Sequence, residues 1–199
     1  MGGDHSITLP ELRAVAKRHG PVALLHFDAH SDTGDDFFGK PYNHGTTFHW
    51  AIEEGLILPE QSTQAGIRGP LYSRSSLDYA KGKGMRVISG WELHDIGVDE
   101  TIRIMRERIR PGTPVFVTFD IDFLDAAYAP GTGTPEIGGF TTHEALKLIL
   151  GVCGQRLVGM DLVEVLPDTD SAGITSFAAA GIMHAFLACL AANKKHNPS

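Results

Sequence analysis

Apolar residues recur along the chain in two alternating patterns, namely short continuous runs and longer stretches in which they return at helical spacing. The continuous runs predict buried strands, because a strand covered on both faces has no polar side. Two such runs are VALLHF (22–27) and PVFVTF (114–119). MRVIS (85–89) and LVGMDLVEV (157–165) also predict strands, and TQAGI (63–67) is a weaker strand candidate. The stretches with helical spacing predict helices at 8–19, 47–55, 75–84, 98–109, 141–154 and 175–192.

The regular alternation of strands and helices predicts an α/β fold. Right-handed crossovers between such strands give a mostly parallel sheet with helices on both faces. A length of 199 residues fits one domain spanning residues 1–199. The last helix candidate is apolar on most of its faces, so we expect it to be packed inside.

Composition narrows the classes of protein that fit. A net charge of −7 argues against a nucleic-acid partner, since such proteins usually carry a basic face. Cys153 and Cys189 lie in apolar helical patterns and form no CxxC pair, which predicts buried free thiols and a cytoplasmic protein. The chain shows no signal-peptide pattern, and IMHAFLACLAA is too short to span a bilayer, so no membrane partner is expected.

Three polar clusters, GGDHS (2–6), DAHSD (28–32) and DIDFLD (120–125), occupy equivalent places in the predicted fold. DAHSD and DIDFLD directly follow buried strands, and GGDHS precedes a helix as a strand-to-helix loop would. Ligands of open α/β sheets bind at the carboxyl ends of the strands. Since residues two apart in an extended chain share a face, the side chains of these clusters should converge at one edge of the sheet.

The convergence collects two imidazoles and four carboxylates: His5, Asp28, His30, Asp32, Asp120 and Asp122. Four carboxylates so close together cannot all stay ionised without a cation. A ligand set dominated by carboxylates suits Mn²⁺ or a similar hard divalent ion better than structural Zn²⁺. Two such ions would neutralise the four charges, with Asp28 and Asp120 as natural bridging ligands, and would acidify a shared water.

The segments GGDHS, DAHSD and TFDIDFLDAAYAPGTGTPEIGG resemble the signatures of the arginase/agmatinase ureohydrolase family, and the resemblance covers essentially the whole chain. It implies a three-layer α/β/α fold and manganese-dependent hydrolysis of guanidino compounds to urea and an amine. It implies that one metal is held by His5, Asp28, Asp32 and Asp120. It implies that the other is held by Asp28, His30, Asp120 and Asp122.

The resemblance also implies three catalytic residues. Asp122 would take a proton from the nucleophile and pass it to the leaving amine. His44, in NHGTTF, matches a family histidine that shuttles protons, and Glu164, in DLVEV, matches the carboxylate that pairs with the substrate guanidinium. The glycine-rich segment 129–139 lacks the lysine of a P-loop and is expected to shape the pocket wall. His26, His49, His94, His143 and His184 are expected to be core or surface residues rather than ligands.

The substrate is less well defined by these motifs. HGTTFHWAIEEGLI and QAGIRGPLYS are most similar to the agmatinase branch, which implies agmatine as substrate and a homo-oligomer as the assembly. Guanidinobutyrase and guanidinopropionase activities are the alternatives, and formiminoglutamate hydrolysis is a weaker third. The loop TGDDFFGKPYN (33–43) and the segment PDTDSAG (167–173) are expected to meet the far end of the substrate.

Two alternatives to a ureohydrolase function stay open. Family members carry a segment before GGDHS, so the chain is expected to lack the N-terminal strands of the sheet, and a non-catalytic metal-binding fragment or subunit is the alternative to an enzyme. The related deacetylase fold, which uses a single zinc, is the other alternative.

Overall fold

The computed structural model describes residues 3–36, 39–70 and 75–196, except for the side chains of 75, 76 and 194–196. Strands and helices alternate as predicted. The strands are β1 (Ala23–Phe27), β2 (Thr63–Ile67), β3 (Arg86–Ser89), β4 (Pro114–Asp120) and β5 (Arg156–Val163). The helices are α1 (Thr8–His19), α2 (Thr47–Glu53), α3 (Ser75–Gly82), α4 (Gly90–Arg108), α5 (Thr142–Gly151) and α6 (Ile174–His196).

The five strands form one parallel sheet in the order β3-β2-β1-β4-β5. Along β1, Leu25 and Phe27 point into a core shared with α4, α5 and α6, whereas Leu24 points into a second core shared with α1, α2 and α3. The sheet is therefore the middle layer of an α/β/α sandwich, which confirms the predicted fold class. Because both faces are covered, β1 and β4 are buried along their whole length.

The chain changes direction across the sheet between β1 and β4. From β1 it proceeds outward through β2 to β3, and it then returns to place β4 and β5 on the other side of β1. Such a switch point opens a crevice at the carboxyl ends of the two central strands. Asp28 and Asp120 stand at these two ends, so the topology brings the predicted polar clusters together.

Local signals explain where most helices begin and end. Gly20, with a φ of 78°, ends α1 in a conformation that favours glycine. Thr141 and Glu144 form a capping box at the start of α5. A helical segment follows the kink at Gly97, which has a φ of 79°, and agrees with the helix expected at 98–109. A further segment of α4 precedes the kink and begins at Gly90, because Ser89 caps the backbone N–H of Glu92.

Two expectations about the cysteines and α6 are wrong. Cys153 and Cys189 are joined as a disulfide, with Cα atoms 5.0 Å apart, because α5 and α6 pack side by side. The cytoplasmic location stays a prediction without the support of free thiols. Helix α6 is packed on one side only: Phe177 is 84% exposed and Leu187 is 57% exposed.

One argument for the expected absence of a membrane partner, the length of the apolar stretch, needs correction. Within the described residues, the stretch Ser171–Asn193 is long and apolar enough to cross a bilayer, with a mean hydropathy of 1.8. IMHAFLACLAA is only part of this stretch, because further apolar residues precede it. A core helix of a water-soluble protein has the same length and composition, so this property does not by itself indicate a membrane protein.

Candidate metal centre

His5 is positioned by a short 3-10 helix that precedes α1. Asp4 caps that helix by accepting a hydrogen bond from the backbone N–H of Ser6, and the His5 ring is fully buried. His5 Nε2 lies 2.9 Å from Thr118 Oγ1 on β4, which fixes the ring orientation. The other ring nitrogen, Nδ1, therefore points into the crevice between β1 and β4.

Three carboxylates surround His5 Nδ1. The distances from this atom to Asp28 Oδ2, Asp32 Oδ2 and Asp120 Oδ2 are 3.1, 3.0 and 3.3 Å. None of the three oxygens has the geometry of a hydrogen-bond partner, and Nδ1 is a buried polar atom without one. Four potential ligand atoms thus face one another around a point from which water is excluded.

His30 and Asp122 form a second group beside the first. His30 Nδ1 lies 2.9 Å from Asp122 Oδ2 and 3.5 Å from Asp28 Oδ1. Asp28 therefore turns one carboxylate oxygen toward each group, as a bridging ligand would. Asp120 Oδ1 instead accepts a hydrogen bond from the backbone N–H of Asp122 at 2.9 Å.

The charges of this cluster are strongly coupled. Burial and the nearby charges of Asp122 and Asp28 raise the pKa of Asp120 well above its usual value, and burial beside Asp28 also raises the pKa of Asp122. Burial would lower the pKa of His30, but Asp122 and Asp28 outweigh it and raise the pKa to about 12. The cluster thus retains protons when no cation neutralises its carboxylates.

The direction of the pKa shift of His5 and of Asp28 is also set by their charged neighbours rather than by burial. Burial would lower the pKa of His5, yet the contacts with Asp120, Asp28 and Asp32 raise it well above its usual value. Burial would raise the pKa of Asp28, yet the three histidines that contact it hold the pKa well below its usual range. A divalent cation would take the place of the protons that otherwise hold these groups together.

Two residues of the cluster region have strained backbones. Asp32 has a φ of 50° and Glu164 has a φ of 63°. Both values lie in the left-handed region, where a residue other than glycine is strained by about 1–3 kcal/mol. Both face His5: Asp32 through its carboxylate, and Glu164 because its Oε1 accepts a hydrogen bond from the His5 backbone N–H at 2.8 Å. Strain held at such positions is a recurring property of functional sites.

Glu164 and His44 lie beside this cluster. Burial is the largest influence on Glu164 and raises its pKa, while His5 and His44 both act in the opposite direction. His44 is exposed and begins the short 3-10 helix His44–Thr46, which Asn43 caps. All eight predicted site residues are therefore described, and six of them form the two adjoining groups.

The segment 129–139 lies along the same edge of the sheet. Thr134 Oγ1 is 3.3 Å from Asp122 Oδ2, and a Cβ added at Gly133 would lie 3.9 Å from Glu164 Oε2. Its position agrees with the prediction that it shapes a wall of the site. The loop expected to meet the far end of the substrate, 33–43, is only partly within the described residues, because 37 and 38 lie outside them.

The matched family and relatives agree with these motifs. Residues 1–189 match the model of the arginase family. The chain belongs to the arginase family.

The curated relatives of this arginase-family chain include enzymes with different named substrates. It is 48% identical over 192 residues to a guanidinopropionase of Pseudomonas aeruginosa, which covers 96% of the chain and 60% of the relative. It is 47% identical over 194 residues to an agmatinase of Escherichia coli, covering 98% of the chain and 60% of the relative. The chain thus spans about three fifths of the length of such relatives.

A solved structure shows the same fold. Proclavaminate amidinohydrolase from Streptomyces clavuligerus superimposes with a TM-score of 0.92 at 47% identity, over 96% of this chain and 64% of the other.

The donor set of this arginase-family chain fits a divalent metal. The buried His5 Nδ1 without a hydrogen-bond partner, facing three carboxylate oxygens, is the decisive observation. Among the described residues, two groups of ligand atoms lie close enough to hold an ion: His5 with His26 and Asp28, and Asp28 with His30 and Asp122. Imidazole and carboxylate donors together are typical of transition-metal sites.

Sequence reasoning missed several residues that support the site. His26 Nε2 lies 2.7 Å from Asp28 Oδ2, and Thr118 holds His5, so each stands two residues before a predicted ligand. The period-2 rule that grouped the aspartates could have found both residues. Arg68 had no such signal: its guanidinium donates to the backbone carbonyls of Asp122 and Glu136 at 2.8 and 3.1 Å and joins two loops of the site.

Proposed function

We propose that the chain belongs to an enzyme that hydrolyses a guanidino compound to urea and an amine with two Mn²⁺ ions. The observation that carries this proposal is the buried His5 Nδ1, which has no hydrogen-bond partner and faces the carboxylates of Asp28, Asp32 and Asp120, beside a second group formed by His30 and Asp122. The family membership and the names of its relatives support the class of substrate.

The ligands are proposed in two overlapping sets. His5, Asp28, Asp32 and Asp120 would hold one ion, since the three carboxylates face His5 Nδ1. Asp28, His30, Asp120 and Asp122 would hold the other. The opposed oxygens of Asp28 support the shared role, while Asp120 would have to share Oδ1 between an ion and the Asp122 backbone N–H.

The chemistry requires a nucleophile and a path for its proton. When bound, divalent ions acidify water and stabilise the negative charge that develops when the guanidinium carbon is attacked. Asp122 would accept the proton and deliver it to the leaving amine. Its Oδ2 is close to His30 and Thr134, whereas its Oδ1 accepts a hydrogen bond from the Ala29 backbone N–H.

Glu164 and His44 would act on the substrate side. The Glu164 carboxylate has one oxygen on the His5 backbone, and the other lies next to Gly133, where a side chain would narrow the approach. A planar guanidinium fits a carboxylate by charge-assisted hydrogen bonds worth about 1.5–3 kcal/mol. His44, near enough to influence Glu164, would exchange protons with solvent because it is exposed.

Agmatine is the proposed substrate. The motifs around His44 and Arg68 support it, as does the 47% identity with an agmatinase. Guanidino acids are the second candidate, because the identity with a guanidinopropionase is 48% and with a guanidinobutyrase 44%. A homo-oligomer without nucleic-acid or membrane partners completes the proposal.

A substrate panel tests it. The protein is loaded with Mn²⁺ and urea release is measured with agmatine, 4-guanidinobutanoate, 3-guanidinopropanoate, arginine and guanidine. We expect turnover with agmatine above the others; preference for a guanidino acid would correct the substrate and keep the reaction. Bound manganese without urea from any compound would contradict the reaction and favour a non-catalytic subunit.

A further inference from the structure

His26 is a buried polar residue that the proposed reaction does not use. It lies on β1 two residues before Asp28, and its side chain has no exposed surface. The ring packs against Phe48, with ring centroids 4.2 Å apart, and its centroid lies 5.2 Å from that of His5. The ring is therefore enclosed, and its two nitrogens must find partners within the protein.

Gln64 supplies one of these partners. It stands opposite His26 in the β1–β2 register, and its Nε2 lies 3.0 Å from His26 Nδ1. The same Nε2 lies 2.6 Å from the backbone carbonyl of Ser31. A carbonyl oxygen only accepts hydrogen bonds, so the atom that approaches both groups is the amide nitrogen with its two hydrogens.

This arrangement defines where the His26 proton resides. One amide hydrogen is donated to Ser31 and the other to His26 Nδ1, which must therefore be an unprotonated acceptor. The ring proton then lies on Nε2, which is 2.7 Å from Asp28 Oδ2 and donates to it. The Gln64 carbonyl oxygen, Oε1, is buried without a hydrogen-bond partner, so the polar contacts of this amide are those of its NH₂ group.

We propose that Gln64 is a positioning residue that locks His26 as the Nε2–H tautomer, so that His26 orients the Asp28 carboxylate between the two candidate metal sites. His26 is then a supporting donor and not a ligand, because both of its ring nitrogens are already engaged. The proposal rests on the proposed metal centre. Hydrogen bonds of this kind to ligating groups raise metal affinity by a factor of about 10–100.

The test compares Gln64→Met with Gln61→Met. Methionine is close to glutamine in length but donates no hydrogen bond. Gln61 is also a buried glutamine, and its Oε1 accepts hydrogen bonds from the Arg110 backbone and from Thr113 Oγ1, away from the candidate metal centre. It therefore controls for the general cost of replacing a buried glutamine.

Two readouts are measured without substrate. Long-range ¹H–¹⁵N spectra of the metal-free protein with labelled histidine report the tautomer of His26, and titration with Mn²⁺ alone gives the Kd. We expect a protonated Nε2 and unprotonated Nδ1 in the original protein and in Gln61→Met. In Gln64→Met we expect a mixture of tautomers and a Kd for Mn²⁺ about 10–100 times higher.

Several results would overturn the positioning role. A proton on His26 Nδ1 in the unsubstituted protein would do so whether or not the variant folds. An Mn²⁺ affinity and a His26 spectrum in Gln64→Met equal to those of Gln61→Met would do so as well. Neither readout needs turnover, so a protein that binds Mn²⁺ with the expected tautomer but releases no urea would contradict the proposed reaction and not the role of Gln64.

Discussion

The carboxyl ends of β1 and β4 and the outer face of α6 reverse the usual distribution of residues. At the strand ends, Asp28 is fully buried, and Asp120 and Asp122 are 3% and 1% exposed. On α6, Phe177 is 84% exposed. Charged groups usually lie at the surface and large apolar groups inside. The strand ends are therefore unusual for their buried charges, and α6 is unusual for its exposed apolar side chain.

The buried carboxylates and the exposed apolar residues of α6 differ in the contacts that compensate for their unusual positions. The buried carboxylates have imidazoles, backbone N–H groups and, in our proposal, cations to offset their desolvation. Within the described residues nothing covers the outer face of α6, while its inner face carries the core residues Ile182 and Phe186 and the disulfide cysteine Cys189. The proposed metal centre accounts for the first departure, and the second is a property of the exposed surface of α6.

The largest expected effect comes from the buried acid with the proposed proton-transfer role. Asp122→Asn keeps the shape of the side chain but removes its ability to accept a proton. We expect the turnover number for the best guanidino substrate to fall by a factor of about 10²–10⁴. Asp78→Asn, a substitution at an exposed aspartate of α3, should leave it unchanged. Near-normal turnover in Asp122→Asn, measured by urea release, would exclude this role.

The next largest effect is the difference between substitutions on the two faces of α6 in the free energy of unfolding. Phe186 is 3% exposed, so Phe186→Ala leaves a cavity and should lower the free energy of unfolding by about 3–5 kcal/mol. Phe177→Ala removes an exposed ring and should change it by less than about 0.5 kcal/mol. Urea denaturation of both variants gives the comparison. A large loss in Phe177→Ala would show that the outer face of α6 is covered in solution.

Removal of the cation should destabilise the buried cluster and leave α6 unaffected. A ligand that binds only the folded protein stabilises it by about 2.7 kcal/mol when present at 100 times its Kd. We therefore expect the Tm measured by calorimetry to fall on treatment with a chelator and to return with Mn²⁺. Mg²⁺ at the same concentration is the control for a general ionic effect. A Tm that does not respond to Mn²⁺ would contradict a metal site built from these residues.

The smallest effect concerns Asp170, at the start of α6. Burial would raise its pKa, but hydrogen bonds from the backbones of Ser176 and Thr175 lower it to about 2. Because the pKa in the folded protein lies below the ordinary aspartate value of 3.8, the stabilisation is present above that value and is lost as the pH falls toward about 2. Asp170→Asn should be less stable than the original protein at pH 5, with a smaller difference at pH 2.5. A constant difference in urea unfolding would contradict the low pKa.

The fold was largely predictable because the local patterns agree with one another. The runs at β1 and β4 are mostly apolar and buried along their whole length, which is what a sheet covered on both faces requires. The disulfide and the one-sided packing of α6 were not predictable in this way. Both depend on how α5 and α6 lie against each other, and the apolar pattern of α6 does not state which face is covered.

The residues proposed as metal ligands were predictable because they follow strands at intervals of two. His26 and Thr118 follow the same rule, but they lie within strands, where the rule does not separate core residues from site residues. Gln64 and Arg68 come from the neighbouring β2 region, and only the register and the three-dimensional path of the loops bring them to the site. The sequence contains no short-range signal for contacts of this kind.

The most direct test of the central claim is crystallography of the protein grown with Mn²⁺, with anomalous data collected at the manganese edge. We predict two anomalous peaks, one among His5, Asp28, Asp32 and Asp120 and one among Asp28, His30, Asp120 and Asp122. A single peak, peaks elsewhere in the molecule, or no peak at a saturating concentration of manganese would contradict the claim that these six side chains form a centre for two metal ions.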